Sequence, residues 1–359
     1  MGNRQNNINH KRVLLIYTGG TIGMDENPET GALEPLDFEH LIECVPEFKR
    51  LSIEVETYQF MPPIDSSDMH PEKWVQMVEV IEKNYDNYCG FVILHGTDTM
   101  AYTASALSFM LENLTKPVVL TGSQLPIGKL RTDGKENLIT SIEVAAAYKE
   151  CKMQNSECRI EVPIVPEVCI YFSGKLLRGN RATKINAEGF AAFDSFNYPH
   201  LGDAGINICY HEQNILKPNF DKPVVFHKET DPNVVVFSLF PGVQPNIISH
   251  VTDAPELRSM VMRTYGSGNA PQQPWMIELL KKATDAGINI VNVSQCLAGT
   301  VEMSRYGTGY HLSESGVLSG QDATVEATVT KLMVLQGMFA DQKKVREMLL
   351  VPLAGEFEA

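Results

Sequence analysis

The 359-residue chain contains no apolar run that approaches the ~20 residues needed to cross a bilayer. Its first dozen residues are polar and basic, unlike a secretory signal peptide. We therefore expect a cytoplasmic protein with no membrane partner.

Basic side chains are also in deficit, since 30 stand against 44 acidic ones and the formal net charge is −14. A phosphate backbone would be repelled, so nucleic acid is not an expected partner.

Paired cysteine motifs and metal-binding spacings are missing as well. The seven cysteines include no C-x-x-C pair and mostly lie in apolar runs, so we expect reduced core residues rather than disulfides. The nine histidines show no H-E-x-x-H spacing, and His95 has no ligand partner nearby in the sequence. Residues 18–23 lack both common phosphate-loop patterns. We therefore expect neither a metal site nor a nucleotide-binding loop.

Apolar runs alternate with segments of helical spacing. Strands are predicted at 13–17, 53–59, 91–95, 117–121 and 167–172. Helices are predicted at 71–85 and 101–114, where the apolar residues recur with helical spacing. This alternation predicts an α/β fold in which helices cover both faces of a parallel sheet.

The alternation lapses in a polar stretch that contains prolines. After it, strand-like runs begin at positions 233, 258 and 288, and helices are predicted at 274–286 and 325–338. We therefore expect a larger N-terminal α/β domain over 1–208, a linker over 209–226, and a smaller C-terminal α/β domain over 227–359.

Threonines stand in glycine-rich turns after two predicted strands, at 17–23 (Y-T-G-G-T-I-G) and 95–99 (H-G-T-D-T). Ligands of open α/β sheets bind at the carboxyl ends of the strands. A threonine hydroxyl is a poor nucleophile near neutral pH, so a hydrolase that uses one must supply a base, oxyanion donors and an orienting group. The turn at 65–67 and Lys184 in the loop 178–184 offer such groups.

These motifs, in this order and at this separation, resemble the bacterial L-asparaginase family, and the type I cytoplasmic branch is the closer match. Further segments that carry the likeness are 65–69, 120–124, 179–184, 265–269 and 324–331. The resemblance implies hydrolysis of the side-chain amide of L-asparagine to L-aspartate and ammonia, without a cofactor, and makes 1–208 the catalytic domain.

The resemblance also implies catalytic roles. Thr21 would be the nucleophile, and Thr97, Asp98 and Lys184 resemble the family's second catalytic group, a hydroxyl–ammonium pair beside a carboxylate. A desolvated lysine can accept a proton from a threonine, whereas the carboxylate favours the charged lysine, and the sequence leaves open which effect prevails. The alternative roles are a helix cap for Thr21 and a solvated loop lysine for Lys184.

Substrate-binding residues follow from the same resemblance. Asp98, beside Thr97, would hold the α-ammonium group, while Ser66 and the backbone donors of the turn from Asp65 to Ser67 would hold the α-carboxylate. The same polar cluster is also suited to cap the helix predicted just after it, and both roles can hold at once.

One family feature is absent, a tyrosine on the loop about ten residues beyond the nucleophile. Residues 25–35 contain no tyrosine, and Ala32 follows Gly31 at the expected position. Either another group, such as Tyr306, orients Thr21, or turnover is slower than in relatives. Packing is the alternative role for Tyr306.

The type I branch also implies regulation, since some relatives bind a second, activating asparagine at a separate site. The matching positions are Arg263 and the strand end formed by Ser294, Gln295 and Cys296, with Thr183 as the link to the neighbouring catalytic lysine. An arginine can hold a carboxylate bidentately, although a buried structural arginine would look the same in the sequence.

Assembly is implied as well, because Asn269 lies in a glycine-rich turn that in the family reaches across an intimate dimer. A homotetramer built as a dimer of dimers is expected. The alternative for Asn269 is a plain turn residue with positive φ.

Two other functions stay open, a broader glutaminase-asparaginase and a non-catalytic asparagine sensor, and the retained threonines and lysine argue against the sensor.

Overall fold

The computed structural model of the protein describes residues 11–26, 33–35, 43–152, 159–303 and 307–358. The strands in these ranges are β1 (Lys11–Tyr17), β2 (Met24–Glu26), β3 (Leu33–Pro35), β4 (Ile53–Gln59), β5 (Gly90–Leu94), β6 (Leu111–Glu112), β7 (Val118–Thr121), β8 (Tyr148–Lys152), β9 (Arg159–Pro163), β10 (Val168–Phe172), β11 (Lys175–Arg178), β12 (Thr183–Lys184), β13 (Phe193–Asp194), β14 (Gly202–Ala204), β15 (Ile208–Tyr210), β16 (Val225–Phe226), β17 (Val234–Ser238), β18 (Ser259–Thr264), β19 (Asn289–Ser294) and β20 (Leu318–Ser319). The α-helices are α1 (Pro71–Asn84), α2 (Met100–Met110), α3 (Gly134–Ala145), α4 (Pro245–Thr252), α5 (Pro274–Asp285), α6 (Gly307–Glu314), α7 (Val325–Met338) and α8 (Gln342–Leu349).

The larger sheet has the strand order β15-β14-β11-β10-β7-β5-β1-β4. Strands β4, β1, β5, β7 and β10 run parallel, and β11, β14 and β15 extend the sheet antiparallel. Successive residues of β1 face opposite sides, so Leu14 and Ile16 pack in one core and Val13 and Leu15 in another. Helices α1 and α2 line the first core and α3 the second. The predicted parallel sheet with helices on both faces is confirmed.

The C-terminal part is built on a smaller parallel sheet with the order β17-β18-β19-β20. Apolar residues of α4 and α5 pack in one core of this part, and those of α7 and α8 in another. The α/β class, with a larger N-terminal and a smaller C-terminal domain, is therefore confirmed. The boundaries at 208 and 227 stay a prediction.

The end of helix α2 differs from the sequence expectation, which carried it to residue 114. The helix ends at Met110, because Leu111 and Glu112 pair with the strand β16. Asn113 then takes a left-handed conformation with φ of 56°, and its amide donates to the carbonyl oxygens of Asn219 and Lys222. Tertiary pairing thus outweighs the local apolar spacing.

Among the helices described, none is long and apolar enough to cross a membrane.

The cysteines are also less uniform than expected. Cys169 is buried, and Cys44 and Cys89 are partly buried. Cys209 and Cys296 are exposed, so the expectation of core residues is wrong for these two. Cys209 lies in the short strand β15 at the edge of the sheet, where one face meets solvent.

Candidate active site

The turns after three adjacent strands, β4, β1 and β5, meet at the carboxyl edge of the larger sheet. Gly20 has φ of 94°, and a Cβ atom there would lie 2.5 Å from the backbone nitrogen of Gly96. A Cβ atom on Gly96 would lie 2.4 Å from Oγ of Ser66. These contacts leave no room for side chains at either glycine, and they explain why both motifs need glycine at these positions. Close approach brings the three polar turns into one site.

Thr21 begins a short 3-10 helix, Thr21–Gly23, and is partly exposed. Gly20 occupies the N-cap position, and no side chain caps this helix. The Thr21 hydroxyl is therefore not consumed as a helix cap, which was its alternative role. Beneath the turn, the buried hydroxyl of Tyr17 donates to the carbonyl oxygen of Gly23 at 3.1 Å and supports the helix.

Lys184 reaches this edge from the short hairpin of β12 and β13. Its ammonium group donates to Oγ1 of Thr97 at 2.8 Å and to Oδ1 of Asp98 at 2.6 Å. The lysine side chain is 18% exposed and the aspartate 68% exposed. The structure thus brings Lys184 to two predicted site residues that lie 87 and 86 positions before it in the chain. Lys184 is therefore not a solvated loop lysine.

Gln124 is a contact of Thr97 that sequence reasoning missed. Because the Lys184 ammonium can only donate, the Thr97 hydroxyl accepts from it and donates to Oε1 of Gln124 at 3.3 Å. The Gln124 amide in turn donates to the carbonyl oxygen of Gly189 at 3.0 Å. The family-like segment 120–124 was the available signal, but its spacing gives no reason to single out the glutamine.

His95 lies buried directly under the Thr97 turn. Its Nε2 atom contacts Oγ1 of Thr103 at 2.9 Å, and that hydroxyl accepts from the indole of Trp74 at 3.0 Å. The Thr103 proton is therefore free to go to Nε2, which leaves Nδ1–H to donate to the carbonyl oxygen of Gly96 at 2.7 Å. Burial lowers the pKa of His95 to about 4. This neutral imidazole supports the motif as a structural residue, as the sequence suggested.

The turn at 65–68 forms its own short helix. Oδ1 of Asp65 accepts from the backbone nitrogen and from the hydroxyl of Ser67, both at 2.9 Å, and these bonds lower the pKa of the Asp65 carboxyl. The expectation that this cluster caps the following helix is wrong, because the N-cap of α1 is His70. Ser66 is buried against Gly96, while Asp65 and Ser67 are exposed.

A second polar cluster lies behind the lysine. The Thr183 hydroxyl donates to Oε1 of Glu326 at 2.5 Å. Burial raises the pKa of Glu326, and the nearby Arg263 guanidinium opposes that shift. Within the described part of the chain, Nε of Arg263 and the hydroxyl of Tyr265 are buried and have no hydrogen-bond partner. Unpaired buried donors are uncommon and call for an explanation.

The predicted strand end at 294–296 lies beside this arginine. The Gln295 amide donates to the carbonyl oxygens of Arg263 at 3.0 Å and Leu239 at 2.6 Å. The Ser294 hydroxyl donates to the Gly266 carbonyl oxygen at 2.6 Å. Both side chains therefore hold the backbone around Arg263, and Cys296 is exposed.

Three remaining expectations concern Asn269, Ala32 and Tyr306. The left-handed positions of the turn at 265–269 are Gly266 and Gly268 rather than Asn269, so the alternative role of a positive-φ residue is wrong. Ala32 and Tyr306 lie outside the described residues. In the same described ranges, no three His, Cys, Asp or Glu side chains are placed to hold a metal ion.

Comparison with known proteins places these motifs in context. The family description "Asparaginase, N-terminal" matches residues 12–216, and "Glutaminase/Asparaginase C-terminal domain" matches residues 233–349. The chain belongs to the asparaginase family. It is 41% identical to L-asparaginase 1 of Escherichia coli strain K12 over 347 residues, which cover 96% of this chain and 98% of that protein.

Solved asparaginase structures share the fold. The L-asparaginase I of Vibrio cholerae aligns with a TM-score of 0.86 and 39% identity, over 98% of this chain and 100% of that one. The thermostable L-asparaginase of Thermococcus kodakarensis aligns with a TM-score of 0.85 and 32% identity, over 97% and 99%. The resemblance to the type I asparaginases is therefore confirmed.

Proposed function

We propose that this chain is a cytoplasmic L-asparaginase that hydrolyses the side-chain amide of L-asparagine with Thr21 as the nucleophile. The observation that carries the proposal is the set of contacts from Lys184 to Thr97 and Asp98, at the same sheet edge as the Thr21 turn. The relatives named L-asparaginase support it, since they match nearly the full length of the chain.

In this proposal the Thr21 hydroxyl attacks the amide carbon of asparagine. An ester forms between Oγ1 of Thr21 and the substrate as the C–N bond breaks, and ammonia leaves with the proton that the hydroxyl gives up. Water then attacks the ester carbon, which releases aspartate and returns a proton to Oγ1 of Thr21. The Lys184–Thr97 pair is the second catalytic group and manages the proton beside the reacting amide. Backbone N–H groups of the turns that contain Gly20 and Gly96 are suited to stabilise the oxyanion, because glycine lets the backbone approach a ligand closely.

The substrate is a zwitterion and needs opposite charges at a fixed separation. The exposed Asp98 carboxylate is suited to the α-ammonium group. Ser66 and the backbone donors of the turn from Asp65 to Ser67 are suited to the α-carboxylate, since the first turn of a helix favours an anion. No side chain in this set needs a metal or a cofactor.

A regulatory site for a second asparagine is part of the proposal. The unpaired donors of Arg263 and Tyr265 support it, because a carboxylate ligand would satisfy both. Glu326 is suited to the ligand's ammonium group, and its bond to Thr183 links the site to the residue before Lys184. We further propose a homotetramer built as a dimer of dimers, with Asn269 at the dimer contact and domains at 1–208 and 227–359 joined by 209–226.

The test is ammonia release by the purified protein over a range of L-asparagine and L-glutamine concentrations. The proposal expects asparagine turnover that Thr97→Val removes and that Thr115→Val preserves. Thr115 is a matched control, since its hydroxyl bonds to Tyr85 away from the site. Preference for glutamine would instead identify a broader amidohydrolase, and asparagine binding without turnover would identify a sensor.

A further inference from the structure

The segment that follows helix α8, residues 351–358, folds back onto the loop that leads to Lys184. Three successive carbonyl oxygens of this tail each accept a hydrogen bond from that loop. Ala354 accepts from Nδ2 of Asn180 at 3.0 Å, Gly355 from Nη1 of Arg178 at 3.3 Å, and Glu356 from Nη1 of Arg181 at 2.7 Å. The matched family ranges end at residue 349, so they do not include this segment.

The tail is itself anchored by a buried ion pair. Nζ of Lys331 in helix α7 lies 2.6 Å from Oε1 of Glu356, and the two side chains are only 3% and 1% exposed. The Glu356 carboxylate also accepts from the backbone nitrogens of Leu353 and Ala354 at 2.9 to 3.1 Å. Lys331 further donates to the carbonyl oxygen of Val351 at 2.6 Å. Both charges are thus well satisfied, which a buried pair requires.

A second anchor lies at the far end of the tail. The backbone nitrogen of Glu358 donates to Oδ1 of Asp322 at 3.0 Å. The Asp322 carboxylate also holds Arg181 through two bonds, of 3.1 and 2.6 Å. Arg181 is among the largest fully buried side chains of the described chain. The tail therefore holds the Arg181 guanidinium directly, through the carbonyl oxygen of Glu356, and indirectly, through the Asp322 carboxylate that Glu358 contacts.

This loop ends at the catalytic lysine. The short helix Gly179–Arg181 passes through a single residue, Ala182, into strand β12, which carries Lys184. Only Ala182 and Thr183 separate Arg181 from Lys184, so a displacement of Arg181 is expected to displace the Lys184 ammonium group as well. The contacts of 2.8 and 2.6 Å from that group to Thr97 and Asp98 leave little tolerance for such a shift.

We propose that the segment 351–358, anchored through Glu356, is a positioning element that sets Lys184 for amide hydrolysis. The proposal rests on the catalytic role of Lys184 in the proposed function. Misplacement of a reacting group by about 1 Å can cost about 100-fold in rate. Loosening the tail is therefore expected to lower kcat much more than it changes KM, because Ser66 and the backbone that carries Asp98 belong to the turns after β4 and β5.

The test compares Glu356→Gln with Asp231→Asn in the full-length protein. Asp231 is a matched control, because it pairs with Arg258 at 2.6 Å and contacts α7 through Gln336, with no described contact to 178–184. Thermal unfolding is followed first, and kcat and KM for L-asparagine are measured where all variants are folded. We expect Glu356→Gln to lower kcat about tenfold to 100-fold, with KM within about twofold. The kcat–pH profile should also shift for this variant, while Asp231→Asn overlays the unmodified protein.

A kcat and pH profile for Glu356→Gln equal to those of Asp231→Asn would overturn the inference. If Glu356→Gln does not fold, Glu358→Pro decides, since it removes the backbone donor to Asp322 at an exposed position. A fall in kcat of about threefold or more at unchanged stability supports the inference, and unchanged kcat overturns it. No asparagine turnover by the unmodified protein would contradict the proposed function, which separates the two failures.

Discussion

Replacement of Lys184 by methionine removes the ammonium group and keeps the length of the side chain. Two charge-assisted hydrogen bonds are lost, to Thr97 at 2.8 Å and to Asp98 at 2.6 Å. The ion pair itself contributes little to stability, because Asp98 is 68% exposed and solvent screens the pair. Such pairs contribute about 0–1 kcal/mol. The free energy of unfolding should therefore change by less than about 1 kcal/mol.

The effect on catalysis should be much larger. A positioned acid–base group contributes about 10²–10⁴ in rate. At 1.36 kcal/mol for each factor of ten, that range is about 3–5 kcal/mol of transition-state free energy. We therefore expect kcat/KM for asparagine to fall about 1,000-fold for Lys184→Met, while urea denaturation shows a folded protein of nearly unchanged stability.

Lys149→Met is the matched control for this variant. Lys149 also pairs with an exposed carboxylate, that of Glu212, and the two side chains are 34% and 61% exposed. It lies on strand β8, which is not part of the larger sheet. Its kcat/KM should stay within about twofold of the unmodified protein. Turnover by Lys184→Met within tenfold of the unmodified protein, or a loss matched by Lys149→Met, would show that the Lys184 ammonium group is not part of the catalytic machinery.

Three further predictions address the turns, the buried histidine and the second site. Gly20→Ala should lower the free energy of unfolding by about 2–4 kcal/mol in urea denaturation, because φ is 94° and the new Cβ would overlap Gly96. Gly128→Ala should leave that free energy unchanged, because the space around Gly128 is open. Equal stability of the two variants would contradict this prediction. His95 is neutral when folded, with a pKa of about 4 against an ordinary 6.5, so its stabilising contribution is full above pH 6.5 and is lost as the pH falls towards 4. His95→Gln should therefore reduce the acid-side fall in unfolding free energy by about 3 kcal/mol, and an unchanged fall would contradict the neutral assignment. Arg263→Met should abolish any sigmoidal dependence of rate on asparagine, and retained sigmoidality would exclude Arg263 from the regulatory site.

The strands and turns of the active-site edge could be predicted from the sequence because their signals are local. Buried parallel strands such as β1 and β5 are near-continuous apolar runs, and glycines mark the sharp turns after them. The order of the two motifs and their family resemblance then brought Lys184 into the same hypothesis. The structure places its ammonium group between Thr97 and Asp98.

The features that could not be predicted depend on contacts between distant residues. Helix α2 ends early because residues of β16, more than 100 positions away, pair with Leu111 and Glu112, the two residues that follow the helix. Gln124 gains its place only when β7 and the loop near Gly189 meet. The bond from Arg181 to Glu356 spans 175 positions. Periodicity and motif spacing carry no information on such pairs, because tertiary packing decides them.

The central claim is that the Thr21 hydroxyl attacks the asparagine amide. The most direct test measures ammonia release at saturating L-asparagine for the unmodified protein, Thr21→Ala and Thr21→Ser, with asparagine binding measured by calorimetry. We expect Thr21→Ala to bind asparagine but lose turnover, and Thr21→Ser to keep part of the turnover, because serine retains the hydroxyl. Turnover by Thr21→Ala at the rate of the unmodified protein would show that Thr21 is not the nucleophile.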